Sequence, residues 1–261
     1  MLRYEELKTV FDALGLAGKP VIAHASLKRF GPVEGGADTV LRVLLDSFHS
    51  VMMPTFTYKT MVTPEVGPPG NGITYGSGRD HNRMAQPFTP AMRADVMMGM
   101  LSETLRIHPS AARTAHPILS FAGVHSNDFL AMQTLSDPLA PIGALAEAGG
   151  WVALINVGHD VNTSIHYAEK LAGRRQFIRW ALGGDRVVEC PGFPGDSTGF
   201  PALDDTIQPD TRRVDMGGGA FLQGVPLKRL LDAVGEMLKK NPLALLCQRT
   251  DCERCNAIRE M

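Results

Sequence analysis

Residues 20–58, PVIAHASLKRFGPVEGGADTVLRVLLDSFHSVMMPTFTY, decide the fold. The apolar run from Pro20 to Ala25 is typical of a buried strand. From about Ala37, apolar residues recur at helical spacing, and SVMMPTFTY (50–58) then indicates a second strand. Strand, helix and strand in this order form the unit of a parallel sheet.

The same alternation continues on both sides of this unit. Before it, apolar residues at helical spacing predict a first helix that ends near Gly15. After it, WVALINVG (151–158) is an apolar run of the kind that forms a strand buried on both faces. We also predict a helix from Thr89 to about Arg106, a strand around ILSFAGV, a short helix near 128–135, a helix ending at Gly149, a hairpin of QFIRWAL and RVVE, and a last helix over 227–238.

The predicted fold class is therefore α/β, with a mixed, largely parallel central sheet covered by helices on both faces, in a single domain over residues 1–261.

Two segments stand apart in composition. Residues 59–90 are rich in Gly, Pro, Thr and Asn without periodicity, and a loop of that length in a compact domain is usually functional or disordered. Residues 247–261 form a tail that contains cysteines.

Composition and charge exclude several classes of function. The chain of 261 residues is 44% apolar, and 26 basic against 27 acidic residues leave a formal charge of -1 with no basic stripe, so we expect no nucleic-acid partner. No run approaches the roughly 18 apolar residues of a membrane span. The first ten residues, MLRYEELKTV, are charged where a signal peptide is apolar. We therefore expect a cytoplasmic protein with no membrane partner.

The segment GHDVNTSIHYAE (158–169) carries a candidate general base. If Thr163 caps a helix, His166 lies near its third position and Glu169 one turn later on the same face. The positive helix end disfavours the imidazolium, so we expect His166 to be neutral, as a general base must be. Glu169 or Asp160 can accept from the other ring nitrogen. An ordinary, partly buried histidine at a helix start explains the spacing equally well.

The turn HASLKRFGPVEGG (24–36) is a candidate anion site, because it joins a strand to a helix N-terminus and offers two cations and three glycines. It matches neither GxxxxGK[ST] nor GxGxxG, so neither a P-loop nor a nicotinamide-cofactor fold is indicated. A plain turn with two solvated charges fits the same residues.

Nucleophilic serine and cysteine chemistry finds little support. The residues around Ser120 do not match GxSxG. GDSTG (195–199) has this spacing around Ser197, but it lies in a loop rich in Gly and Pro instead of at a strand-to-helix turn, so a serine hydrolase is only a minor possibility. Cys190 is interpreted as a small buried hydrophobe. Three further cysteines form C-x4-C-x2-C (Cys247, Cys252 and Cys255). Three thiolates and a fourth ligand can hold structural zinc, but no fourth ligand is visible locally, so we predict free thiols and no metal requirement, with zinc as the alternative.

These segments, in this order, resemble the aminoglycoside 3-N-acetyltransferase family. The resemblance lies in SLKRFGPVEGG (26–36), MPTFTY (53–58), RTAHPILSFAGV (113–124), PIGALAEAGGWVALINVG (141–158) and DVNTSIHYAE (160–169), and extends weakly to VDMGGGAFLQG (214–224). It spans most of the chain, and the block from Asp160 to Glu169 is its most specific part.

The resemblance implies an N-acetyltransferase that moves the acetyl group of acetyl-CoA directly to an amine of an aminoglycoside, without a covalent acyl-enzyme, and so confers antibiotic resistance. It implies that His166 is the base, with Asp160 and Glu169 as further catalytic residues. Coenzyme A binding is implied for His24, Ser26, Leu27, Lys28, Arg29, Phe30, Gly31 and Thr114. An aminoglycoside is a polycation, so carboxylates should line its site, and the candidates for acceptor binding are Asp160, Tyr58, Asp80 and Glu65. We expect small-molecule partners and a monomer or a homodimer.

Two departures from the family pattern leave the acceptor open. His116 stands where the best-known resistance enzymes have asparagine, and the loop over residues 59–90 differs from theirs. One alternative is therefore an N-acetyltransferase that acts on another small amine in metabolism or biosynthesis. An alternative from another class is a non-catalytic zinc- or thiol-dependent binding protein in which the cysteine tail is the functional element.

Overall fold

The computed structural model describes residues 1–260. The strands are β1 (Pro20–Ala25), β2 (Ser50–Pro54), β3 (Met61–Val62), β4 (Ala112–Arg113), β5 (Phe121–Val124), β6 (Trp151–Ile155), β7 (Phe177–Gly183), β8 (Arg186–Phe193), β9 (Arg212–Gly217) and β10 (Ala220–Pro226). The helices are α1 (Tyr4–Ala13), α2 (Gly36–Ser47), α3 (Arg79–Met84), α4 (Gly99–Arg106), α5 (Asn127–Leu130), α6 (Ala140–Glu147), α7 (Thr163–Leu171), α8 (Asp204–Ile207), α9 (Leu227–Lys240) and α10 (Glu253–Arg259). Within residues 1–260, no helix has both the length and the apolar character needed to cross a membrane.

Seven strands form the central sheet in the order β4-β5-β2-β1-β6-β10-β9, and β3, β7 and β8 form a separate three-stranded sheet. The predicted mixed α/β fold is confirmed. The predicted largely parallel pairing is wrong, because only β1 with β2 and β1 with β6 are parallel, and the other four pairings of this sheet are antiparallel. Two of these pairings, β4 with β5 and β9 with β10, join consecutive strands, and a hairpin connection makes its two strands antiparallel. In each of these pairs, β5 or β10 also pairs antiparallel with the neighbouring strand of the parallel centre, β2 or β6.

The sheet has a hydrophobic core on each face, as its apolar strands predict. Along β1, Ile22 faces one core while Val21 and Ala23 face the other, because successive side chains of a strand point to opposite faces. Helices α1, α2 and α4 cover one core, and α6, α7 and α9 cover the other. The prediction of helices on both faces is therefore confirmed.

The connections that follow β1, β2, β4 and β6 all lie at one edge of the sheet, where the antiparallel β10 begins. Asn156, directly after β6, adopts a left-handed conformation with φ 59°. Its main-chain N–H donates to the Phe221 carbonyl (2.9 Å), its Oδ1 accepts from the Phe221 N–H (2.8 Å), and its Nδ2 donates to the Ser26 carbonyl (3.2 Å). Asn156 therefore fixes the ends of three adjacent strands, and this edge holds the candidate site.

Several predicted elements differ in extent. The helix expected from Thr89 begins only at Gly99. Asp95 caps a short 3₁₀ turn before it. The Arg113 guanidinium donates to the Pro90 carbonyl (3.0 Å) and to the Met92 carbonyl, and these bonds hold the segment in a non-helical path. The strand around ILSFAGV is shorter than expected (β5), and so is the helix near 128–135 (α5). The predicted hairpin and the helix over 227–238 are confirmed as β7–β8 and α9. Strands β9 and β10 and helix α10 were not predicted.

Residues 59–90 are anchored to the small sheet. Strand β3 pairs with β7, and the Asn71 side chain exchanges two hydrogen bonds with the main chain of Ile178 (2.8 and 3.0 Å). Arg179 also donates to the Asn71 carbonyl (3.0 Å). The segment is therefore an ordered extension with its own short elements.

Candidate active site

The helix that carries His166 begins where the central strand β6 has ended. Asn162 is its N-cap: the side-chain oxygen accepts from the Ser164 N–H at 3.1 Å. The predicted cap, Thr163, is therefore wrong by one residue, because Thr163 already belongs to the helix while Asn162 has extended backbone angles. His166 lies in the first turn of α7 either way.

His166 is the first of three buried side chains that are linked by hydrogen bonds. Its Nδ1 lies 2.9 Å from Glu169 Oε2, and the Glu169 side chain also pairs with Arg174. Arg174 in turn donates to the carbonyls of Pro242 (2.6 Å) and Ala244 (2.7 Å). His166 is 8% exposed and Glu169 2% exposed. This arrangement fixes the ring in one orientation.

The hydrogen bond to Glu169 also determines which ring nitrogen is available. A carboxylate accepts hydrogen bonds, so Nδ1 carries the hydrogen, and the neutral form of the ring then has its lone pair on Nε2. The ring packs edge-on against Phe200, with centroids 4.7 Å apart. An imidazole oriented by a carboxylate is an arrangement suited to general-base chemistry. Of the two carboxylates considered from the sequence, Glu169 is the one that contacts His166.

Asp160 lies elsewhere, in an acidic group beside His159. It is exposed, on the short 3₁₀ helix that precedes Asn162. Partial burial raises the pKa of Asp204, and the nearby carboxylates of Asp205 and Asp160 raise it further. His159 lies close enough to oppose this shift. Burial lowers the pKa of His159 in spite of these carboxylates. Asp204 and Asp205 were missed in the sequence; the signal was an acidic pair that follows a loop rich in Gly and Pro.

The turn after β1 presents two cations at the same edge of the sheet. It is a short 3₁₀ helix, Leu27–Phe30, in which Phe30 is buried and Lys28 and Arg29 are exposed. Gly31 ends it with φ 69°, a conformation that favours glycine. Arg29 also lies over the Phe221 ring (5.8 Å from its centroid), and Arg213, which was not predicted, lies over the same ring at 4.2 Å.

His24 lies behind this turn, near the end of β1, and is 5% exposed. Burial, assisted by the nearby His159, lowers the pKa of His24 to about 3, so the ring is neutral. Its Nε2 is buried without a hydrogen-bond partner among residues 1–260. Since β1 and β6 are paired and the Ser26 N–H donates to the Ile155 carbonyl (2.9 Å), the turn and the segment leading to His166 are neighbours.

Thr114 and His116 line a cleft of about 440 Å³ at the outer part of this edge. Thr114 Oγ1 accepts from the Phe121 N–H (2.9 Å), and His116 Nδ1 accepts from the N–H groups of Ile118 (3.1 Å) and Leu119 (2.9 Å). Burial lowers the pKa of His116 to about 4. The predicted coenzyme residues of the β1 turn are not among the residues that line this cleft.

The remaining predicted acceptor residues are Tyr58, Glu65 and Asp80. Tyr58 packs edge-on against Phe56 (6.1 Å), and burial raises the pKa of Tyr58 to about 12. Glu65 is exposed, and Asp80 is exposed on α3 beside Arg83 (3.8 Å). In the described part of the chain, no hydrogen bond or ion pair links any of these three to His166.

Comparison with known proteins gives a consistent match. The sequence model of the aminoglycoside 3-N-acetyltransferase family matches residues 22–239. Aminoglycoside N(3)-acetyltransferase III of Salmonella sp is 33% identical over 168 residues, which cover 60% of this chain and 56% of that protein. The chain therefore aligns with little more than half the length of this curated relative.

Solved structures show the same fold. The apoenzyme of aminoglycoside acetyltransferase AAC(3)-IVa has a TM-score of 0.78 at 23% identity, covering 99% of this chain and 97% of that chain. The same enzyme as a histidine-to-alanine mutant, in complex with a gentamicin, has a TM-score of 0.76 at 23% identity, covering 99% and 97%. AAC-IIIb in a binary complex with CoASH has a TM-score of 0.72 at 24% identity, covering 91% and 96%.

Proposed function

Because this chain belongs to the aminoglycoside 3-N-acetyltransferase family, we propose that it transfers the acetyl group of acetyl-CoA to an amine of an aminoglycoside, with His166 as the general base and residues 1–261 acting as one domain. The observation that carries the proposal is the His166 Nδ1 to Glu169 Oε2 contact of 2.9 Å at the edge of the sheet where the β1 turn lies.

His166 has the role of accepting a proton at Nε2. An ammonium group has no free lone pair, so it must lose a proton before its nitrogen attacks the thioester carbonyl and expels coenzyme A as the thiolate, and a neutral imidazole is suited to take that proton. Glu169 holds the hydrogen on Nδ1 and stabilises the imidazolium that forms, while Arg174 keeps Glu169 in place. Direct transfer needs no nucleophilic side chain.

The β1 turn fits coenzyme A. When bound, acetyl-CoA supplies an activated acetyl group as a thioester. Lys28 and Arg29 are free to meet phosphate oxygens because both are exposed, and Gly31 leaves the main chain open to close approach. The unpaired Nε2 of His24 offers a buried polar contact beside them. AAC-IIIb, which shares this fold, was solved with CoASH, and this supports the proposal.

The acidic group of Asp160 and Asp204 is our candidate for holding the polycationic acceptor. Carboxylates that face solvent attract a polycation and raise its local concentration. Asp204 has a raised pKa because of partial burial and its acidic neighbours Asp205 and Asp160, so a cationic ligand would relieve this repulsion. Glu65, Asp80 and Tyr58 are not part of this proposal, because no hydrogen bond or ion pair links them to His166 in the described residues.

The test compares His166→Ala with His49→Ala. His49 is an exposed histidine at the opposite edge of the sheet, directly before β2. Release of the coenzyme A thiol is followed with acetyl-CoA and a panel of aminoglycosides. We expect His49→Ala to retain wild-type turnover, and His166→Ala to lose turnover while still binding acetyl-CoA in calorimetry. An active His166→Ala enzyme would refute the general-base role.

The acceptor class is decided by the same assay with simple amines added to the panel. Turnover of aminoglycosides, together with a raised inhibitory concentration of those drugs in cells that express the protein, supports the resistance role. Turnover of simple amines alone would instead favour the alternative of an amine N-acetyltransferase in metabolism or biosynthesis.

A further inference from the structure

The carboxyl-terminal cysteines form a compact group with one carboxylate. Cys247, Cys252 and Cys255 are all buried, and one ligand atom from each lies within 4.8 Å of the others and of an oxygen of Asp196. The sequence suggested free thiols in a tail; the structure instead folds residues 253–259 into α10 and adds a fourth side chain from the loop after β8. We propose that these four residues bind one structural zinc ion.

The geometry of the group fits tetrahedral coordination. Zinc–sulfur bonds of about 2.3 Å in a tetrahedron place the sulfur atoms roughly 3.8 Å apart. The Sγ atoms of Cys247 and Cys255 are 3.3 Å apart, and the outermost separation in the group is within 4.8 Å, so small side-chain movements reach this arrangement. Thiolates select zinc over magnesium or calcium, and aspartate is an accepted fourth ligand.

Neighbouring groups hold the proposed ligands in place. The Thr198 N–H donates to Asp196 Oδ1 (2.9 Å), and Arg254 lies 3.3 Å from Asp196 Oδ2. Arg259 donates to the Cys247 carbonyl. Three thiolates and one carboxylate exceed the charge of Zn²⁺ by two, and these two arginines offset that excess. Such partners around the ligands are what a metal site requires beyond the ligands themselves.

The ion would join α10 to the loop after β8, and α10 in turn contacts the segment 59–90. Asp196 belongs to the loop after β8, and Glu253 of α10 accepts a hydrogen bond from Thr74 in the segment 59–90. Gly72 of that segment lies directly against Arg254, since a Cβ atom at Gly72 would be 2.8 Å from Arg254 Cα. Because all four coordination positions come from the protein, the site is structural, with no open position for substrate.

Metal content is measured on the full-length protein purified under reducing conditions. We expect one zinc per chain in the wild type and in Cys190→Ser, whose cysteine is buried in β8 outside the group. Cys252→Ser should lose the zinc. Asp196→Asn and Arg254→Gln should retain the fold and bind zinc roughly 10- to 100-fold more weakly in competition with a chelator.

A second measurement is independent of the cysteine variant's folding. Cobalt substituted into the wild type should show the visible absorption of tetrahedral thiolate coordination, and this should disappear when zinc is added back. Chelation should lower the unfolding temperature of the wild type, and zinc should restore it. A wild-type protein that takes up no zinc after dialysis against it, or an intact mass showing a disulfide within the group, would overturn the proposal.

Discussion

Replacement of Glu169 by glutamine is the sharpest test of how His166 is held. Glutamine keeps the size of the side chain but replaces one acceptor oxygen with an NH₂ donor. In the wild type, the two carboxylate oxygens accept separately from His166 Nδ1 (2.9 Å) and from Arg174. Arg174 cannot turn away without losing its bonds to the carbonyls of Pro242 (2.6 Å) and Ala244 (2.7 Å).

In either orientation of the new amide, its NH₂ group faces a buried hydrogen-bond donor, the Nδ1–H of His166 or the guanidinium of Arg174. With its oxygen toward Arg174, its NH₂ group faces Nδ1, and the ring must then carry its hydrogen on Nε2, the atom proposed to accept the proton. With its oxygen toward His166, its NH₂ group faces the guanidinium. An unsatisfied buried donor costs about 1 to 3 kcal/mol. Since about 1.4 kcal/mol of barrier is tenfold in rate, we expect kcat to fall roughly 10- to 100-fold.

The measurement is kcat from thiol release, with the KM for acetyl-CoA expected to be unchanged because Glu169 lies outside the β1 turn. Glu147→Gln, an exposed glutamate on α6, is the matched control. Nitrogen-15 NMR of the labelled histidine reports the tautomer, and thermal unfolding checks the fold. A Glu169→Gln enzyme that is folded and has the kcat of the control would refute the reasoning.

Three further predictions concern other parts of the molecule. Burial lowers the pKa of His116 from 6.5 to about 4. Between pH 6.5 and pH 4 the unfolded chain therefore binds a proton at His116 that the folded chain does not, and the free energy of unfolding decreases as the pH falls. We expect a loss of about 2 kcal/mol between roughly pH 7 and pH 5, measured by urea unfolding; a wild-type pH dependence equal to that of His116→Asn would contradict it. Lys28→Ala combined with Arg29→Ala should raise the KM for acetyl-CoA roughly 2- to 30-fold with little change in kcat, because exposed charges contribute at most about 1 kcal/mol each; an unchanged KM would remove the turn from the coenzyme site. Asp160→Asn combined with Asp204→Asn should raise the KM for a polycationic aminoglycoside more than that for a monoamine, and equal effects on both in steady-state kinetics would argue against an acidic acceptor site.

The parts of the site that lie close together in the sequence were predictable. His166 and Glu169 are three residues apart on one helix, and helical geometry alone places such residues on one face. Lys28 and Arg29 follow directly from the end of a recognisable strand. The cap of α7 shows the limit of this reasoning, because Asn162 and Thr163 are both good caps and only the backbone angles distinguish them.

The partners of these residues were not predictable. Arg174 reaches Glu169 because the chain turns back after α7, and Asp204 lies near Asp160 because the loop after β8 returns to the same edge. Strands β9 and β10 and helix α9 separate Asp196 from Cys247 along the sequence, so these two residues come together only in the folded chain. No local pattern distinguishes these polar residues from any others on a surface loop.

From the sequence one can derive β1, β2 and β6, most of the amphipathic helices and the histidine–glutamate pair, because the spacing of apolar residues along a segment reports which of its faces are buried. Tertiary structure alone decided the antiparallel outer strands, the arginine behind Glu169 and the grouping of three cysteines with Asp196. The physical reason is that apolar periodicity states that a face is buried but does not specify against what, whereas these contacts depend on which distant segments pack together.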